Sequence, residues 1–167
     1  TTFEFTDIAG LVKGASLGEG LGNKFLSHVR ETDAIVEVVR CFKDDNIIHV
    51  DGKVDPIKDV EIINIELILS DLDIINNRIN KIGKKATTTK NKEDLKEYNL
   101  LTKIKESLEK NIPIRNLSLG EEEKKIISSF NLITAKPIIY VANVKEEDIL
   151  NLSLIHISEP TRLALIA

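Results

Sequence analysis

Two short stretches carry residue types that could do chemistry. Asp7 is followed three residues later by Gly10, in the string FTDIAGLVKGASLGEGLGNKF. A carboxylate at the end of a strand can hold a Mg²⁺ ion, usually through water, and a glycine lets its backbone N–H approach a terminal phosphate unobstructed. On four letters alone, an ordinary Gly-rich turn after a strand is the readier explanation of the same pattern. The second stretch, Asn143-Val144-Lys145-Glu146, follows an apolar run. An amide there can read the edge of a base or simply cap a helix.

The remaining polar candidates are weaker. His49 near Val50 is either a packing or surface histidine, or a group able to orient water near neutral pH. His28 reads as a helix-surface residue. One cysteine, Cys41, excludes an intrachain disulfide, and no His or Cys spacing resembles a zinc site. Lys81, Lys84, Lys85, Lys90 and Lys92 cluster without an intervening acid. They form either a solvated helix-hairpin end or a grip for RNA phosphates.

These groups need elements to position them. Phe3 and Phe5 alternate with Thr2, Glu4 and Thr6, a strand pattern over residues 2–8 that leads into a loop, Gly10 to Gly22, holding five of the eight glycines. A helix is expected from Asn23 to about Glu31, then a strand over Ala34–Phe42, apolar enough for both faces of a parallel sheet to be covered. Asp55-Pro56 opens a helix. Its Ile68, Leu72, Ile75, Ile79 and Ile82 step by four and three residues, a coiled-coil-like seam, with Asp71 and Asp73 among the residues filling other faces. Gly83 and the polar stretch to Lys92 are expected to break this helix. A second carries Tyr98, Leu101, Ile104 and Leu108 on one face and stops at Pro113, giving an antiparallel helical arm. Ser118 and Glu121 predict a capping box for a third helix to Phe130. Ile138–Val141 then returns to the sheet.

With 167 residues, 42% hydrophobic, 30% charged and a net charge of −4, the chain reads as globular and not as a general cation for coating nucleic acid. No secretory signal pattern or long apolar run is present, so a cytoplasmic location and no membrane partner are expected.

In order and spacing, DIAGLVKGASLGEGLGNKFL, RETDAI, VVRCF and DDNIIHV resemble the YchF family of Obg-like ATPases over nearly all of residues 3–151. The resemblance implies an α/β fold: a P-loop NTPase G-domain, here with a partial parallel sheet, and an inserted antiparallel α-helical coiled-coil arm. The implied organisation is a G-domain part at 1–55, the arm at 56–116 and a second G-domain part at 117–151. The phosphate-binding G-x-x-x-x-G-K-[ST] string, the first switch and the family's TGS domain are not in this sequence. By the same resemblance Asp7 (the Mg²⁺ ligand) and Gly10 form the phosphate switch, while Gly14, Gly18, Gly20 and Gly22 make it mobile. Leu11 stands where Ras-like proteins use a water-orienting Gln, and His49 is the candidate for that lost role. Leu17 replaces the lysine typical of the family. Asn143, Val144 and Glu146 would contact the base, with Glu in place of a guanine-reading Asp favouring ATP.

The expected parent is therefore a Mg²⁺-dependent, ribosome-associated ATPase whose arm tip meets RNA, and the fragment itself is expected to be inactive. A GTPase of the wider Obg class and a non-catalytic RNA-binding adaptor are the alternatives. Residues 152–162, LSLIHISEPTR, match the translation of a common transposon-type sequencing adapter, so residues 152–167 are expected to be an artefactual tail, and His156 and Ser158 are set aside with it.

Overall fold

The computed structural model describes residues 4–6, 21–42, 54–89, 91–145 and 163–166. Its elements are α1 (Leu21–Glu31), β1 (Ile35–Arg40), α2 (Pro56–Thr89), α3 (Lys92–Glu109), α4 (Glu121–Ser128), β2 (Ile138–Asn143) and β3 (Leu163–Ile166), with short 3₁₀ turns at Ile114–Asn116 and Ile133–Ala135. Two compact units emerge: residues 1–32 with 64–136, and residues 33–63 with 137–167.

The first unit is built on the helical hairpin. Ile68, Ile75 and Ile82 of α2 join Leu100, Leu101, Ile104 and Leu108 of α3 in one cluster, to which Ile114, Ile127 and Leu132 add. Leu101, Ile104 and Leu108 are wholly buried, as expected for two amphipathic helices that can cover their apolar seams only against each other. Arg78 bonds Glu97 through two nitrogens, at 2.6 and 2.9 Å, and so ties the two helices of the hairpin.

Three sequence expectations shift here. Gly83 does not end α2, which continues to Thr89. A Cβ at Gly83 would lie 3.4 Å from Cε2 of Tyr98, so the missing side chain leaves room for that ring while the helix runs on. Pro113 does not stop α3 either. The helix ends at Glu109, and Asn111 takes φ 58°. Its N–H donates to Leu108 O and that of Ile112 to Ser107 O, both at 2.9 Å, the paired bonds of a Schellman cap. The cap of α4 moves from Ser118 to Gly120, whose N–H donates to Glu123 Oε2 at 2.8 Å.

In the second unit β1 and β2 pair in parallel, Ile35 with Ile138 through Arg40 with Asn143. The β-branched run suits a pleated strand. Cover is uneven, however: Val39, Tyr140, Val141 and Ala142 are buried, whereas Val36, Val38 and Ile139 are 44%, 63% and 45% exposed. β3 lies parallel to β2, Tyr140 with Leu163 through Asn143 with Ile166, so four residues of the tail set aside from fold expectations form a strand. An open strand edge presents unpaired N–H and C=O groups that a short apolar segment can satisfy. The Asp55 opening of α2 forms as expected, Asp55 Oδ1 accepting from Lys58 N at 3.1 Å. Of the expected strand at residues 2–8 only Glu4–Thr6 are described. They form no strand, and Phe5 is 84% exposed. Alternation sets which face is apolar, but a strand persists only with a paired neighbour.

Candidate functional site

In parallel α/β sheets, ligands sit outside the carboxyl ends of the strands, where loops leave the sheet. Here those ends are Arg40-Cys41-Phe42 on one strand and Asn143-Val144-Lys145 on its neighbour. The register carries Arg40 opposite Asn143, and Cys41 N donates to Asn143 O at 2.8 Å, so the backbone ladder extends one residue beyond the strand. Asn143 is exposed while Val144 is 7% exposed. The pair therefore offers a donor-and-acceptor amide on a fixed apolar footing.

Arg40 folds back over the same edge. Its Nε donates to Phe42 O at 3.1 Å and its Cζ stands 4.8 Å from the Phe42 ring centroid. Burial, and secondarily the Asp59 carboxylate, push the Cys41 thiol up from its ordinary value. A thiol held neutral in this way is a poor nucleophile. Among the described residues this edge presents an exposed amide at Asn143 and no general base.

Of the residues singled out in the sequence, Asp7, Gly10, Leu11, His49 and Glu146 lie outside the described residues, as do Gly14, Gly18, Gly20 and Leu17. Asn143 and Val144 lie together at the sheet edge. His28 is exposed on α1. Lys81 is exposed, Lys84 and Lys85 occupy the continuing α2 backbone, Lys92 opens α3, and Lys90 lies outside the described residues. No group of three His, Cys, Asp or Glu able to hold a metal ion occurs among the described residues. No described helix is long and apolar enough to cross a membrane.

A polar cluster that sequence reasoning missed lies in the first unit. Asp71, read from sequence as a residue of the outer faces, is completely buried. Its carboxylate accepts from Ile133 N at 3.1 Å, Thr134 N at 2.7 Å, Thr134 Oγ1 at 2.7 Å and Arg30 Nη1 at 2.7 Å. Arg30 also donates to Asn131 O at 3.2 Å, Ser70 O at 3.2 Å and Ser70 Oγ at 2.6 Å. Four donors on one carboxylate meet the condition under which an ionised group is tolerated in a core. The signal was present in the spacing: Asp71 lies three residues after Ile68 and four before Ile75, in phase with the buried seam.

No family model matches the chain. The Ribosome-binding ATPase YchF of Bacillus subtilis is 55% identical over 149 residues, covering 89% of this chain and 40% of that protein. The protein of the same name from Mycoplasma pneumoniae is 51% identical over 152 residues, covering 91% and 41%. Among solved structures, that of the Schizosaccharomyces pombe YchF GTPase aligns with a TM-score of 0.70 at 43% identity, covering 84% of this chain and 38% of that one. The chain thus spans about two-fifths of the length of the curated relatives it matches. The structural likeness carries the P-loop NTPase fold to these residues, and at such identity over most of its length the chain belongs to the YchF family.

Proposed function

We propose that this chain is the switch, base-reading and arm portion of a Mg²⁺-dependent ATP hydrolase that acts on the ribosome. The observation that carries the reading is the sheet edge: an exposed Asn143 on a buried Val144, at the carboxyl end of a parallel strand, in a chain whose relatives are named ribosome-binding ATPases. Asn143 and the Val144 backbone meet the adenine edge, and Glu146 replaces the Asp whose bidentate geometry suits guanine. Asp7 holds Mg²⁺ through water, a hard-oxygen ligand suited to an ion that the nucleotide phosphates also bind. Bound Mg²⁺ would neutralise charge on the phosphates. Gly10 brings its N–H to the terminal phosphate, and His49 orients water where Leu11 cannot.

In this reading residues 1–55 and 117–151 belong to the nucleotide domain and 56–116 form the inserted coiled-coil arm, whose tip (Lys81, Lys84, Lys85, Lys90 and Lys92) meets RNA phosphates. By itself the chain hydrolyses nothing, having no G-x-x-x-x-G-K-[ST] string to cradle the β- and γ-phosphates. The word GTPase in the name of the Schizosaccharomyces pombe protein favours a second reading, in which Glu146 tolerates guanine.

The test replaces the matching stretch of the full-length Bacillus subtilis relative with this sequence and measures ATP against GTP binding and hydrolysis. ATP preference that weakens in Glu146→Asp, with slow hydrolysis lost in His49→Ala, is the expected result. GTP preference would remove the adenine assignment, and undiminished hydrolysis in His49→Ala would return that residue to packing.

A further inference from the structure

Arg30 lies in the last turn of α1, the helix that follows the Gly-rich stretch of the sequence, and among the described residues its guanidinium bonds go to other elements. Two reach Ser70 and one Asp71, both on α2, and the fourth reaches Asn131 after α4. Its side chain is 16% exposed and that of Asp71 is fully buried. The Lys136 ammonium donates to Thr32 O, just beyond α1, and adds a second polar tie on the same side.

The arrangement is one-sided. Asp71 keeps three donors from Ile133 and Thr134 whether or not Arg30 is present, so the seating of the 133–134 turn on α2 does not depend on α1. Arg30, by contrast, bonds Asp71, Ser70 and Asn131 alone among the described residues. A carboxylate set into an apolar seam carries a desolvation cost that an apolar side chain would avoid. What it provides in exchange is a directional contact that can open without dismantling the hairpin behind it.

We propose that the Arg30–Asp71 pair is a joint through which nucleotide-dependent movement of α1 is passed to the helical arm. This deepens the nucleotide reading above and rests on it. When α1 is held, Arg30 braces the α2 backbone at Ser70 and the turn at Asn131. When α1 shifts, those bonds are released together, and Asp71 remains satisfied by the turn. Coupling of this kind requires a demonstrated two-state element that both ends bias, not mere adjacency.

The experiment uses the same full-length graft, with hydrogen exchange followed by mass spectrometry, with and without a non-hydrolysable ATP analogue. Analogue binding is measured first. Expected without substitution is a nucleotide-dependent change of at least about fivefold in exchange across α2 near Ile68–Ile75 and across residues 131–134, the lower end of usual coupling between sites. In Arg30→Met that change vanishes, while the change within residues 10–31 remains. Arg30→Lys, which cannot keep the forked set of bonds, retains less than half of it and serves if the Met variant does not fold. An undiminished response of α2 in these variants would overturn the joint and leave a static clamp. Failure of the unsubstituted graft to bind the analogue would instead overturn the nucleotide reading, and the joint with it.

Discussion

The hairpin and the sheet are assembled from similar residues, Ile, Leu and Val, yet they treat them differently. In the hairpin, Ile75, Leu101, Ile104 and Leu108 are at most 1% exposed. In the sheet, Val36, Val38 and Ile139 stay between 44% and 63% exposed, although Val141 on the same face is buried. A pair of long antiparallel helices supplies each seam with its cover from within a few dozen residues, whereas a parallel strand depends on elements far away in the chain. Local burial is therefore closed in the one region and open in the other among the described residues.

The largest expected contrast follows directly. Ile104→Ala in the hairpin should cost about 2–5 kcal/mol, the range for truncating a fully buried aliphatic side chain, while Val38→Ala in the sheet should stay within about 0.5 kcal/mol. Urea denaturation of both variants measures the difference, and comparable losses would mean that the open face is covered.

The buried polar cluster sharpens the contrast within the hairpin unit. Asp71→Asn replaces one acceptor oxygen with an NH₂ that faces donors, and should cost about 2–4 kcal/mol. Arg30→Met should cost less, because Asp71 keeps three donors and the Met stem retains packing. Chemical denaturation of the pair settles the order, and a larger loss for Arg30→Met would contradict the one-sided geometry.

A smaller effect, of opposite sign, is expected at Gly83. A Cβ there meets Tyr98 Cε2 at 3.4 Å, a contact that can be accommodated, so Gly83→Ala should gain up to about 1 kcal/mol of helix propensity. Gly83→Leu should lose stability by pushing the ring away. Thermal melts of the two variants should move in opposite directions.

The smallest effect is a pH dependence confined to α4. The Gly120 N–H, then Lys103, hold the Glu123 carboxyl below its ordinary value, and Lys124 does the same for Glu121. A depressed folded-state value means that the contribution is present above the unfolded carboxylate range and is lost as pH falls through the folded value. Glu121 is exposed and Glu123 half-buried at the surface, so acidification should fray α4 without unfolding the hairpin, seen as faster amide exchange of Lys124 before that of Ile104.

Much of the hairpin was legible in the sequence because its four-and-three spacing extends over many residues, and periodicity averages out single exceptions. What was misread were the exceptions themselves. The cost of Gly83 in a helix is small beside continuous packing against α3, and Asn111 supplied the left-handed cap that is usually sought as glycine. Asp71 was assigned to the surface by residue type although its phase is that of the core. At the sheet edge, Asn143 and Val144 fell where the strand pattern put them. The remaining candidates, Asp7, Gly10, Leu11, His49 and Glu146, lie outside the described residues, and their roles stand on resemblance alone.

The continuity of α2 through Gly83 would matter to the RNA contact proposed for this end of the hairpin. Helical positions 81, 84 and 85 fall on one side of the rod, since residues three and four apart are neighbours. A loop carrying the same lysines would have to be ordered on contact, at a loss of conformational freedom that an already helical segment does not incur. The backbone spacing of these three positions is thus set in advance by the helix.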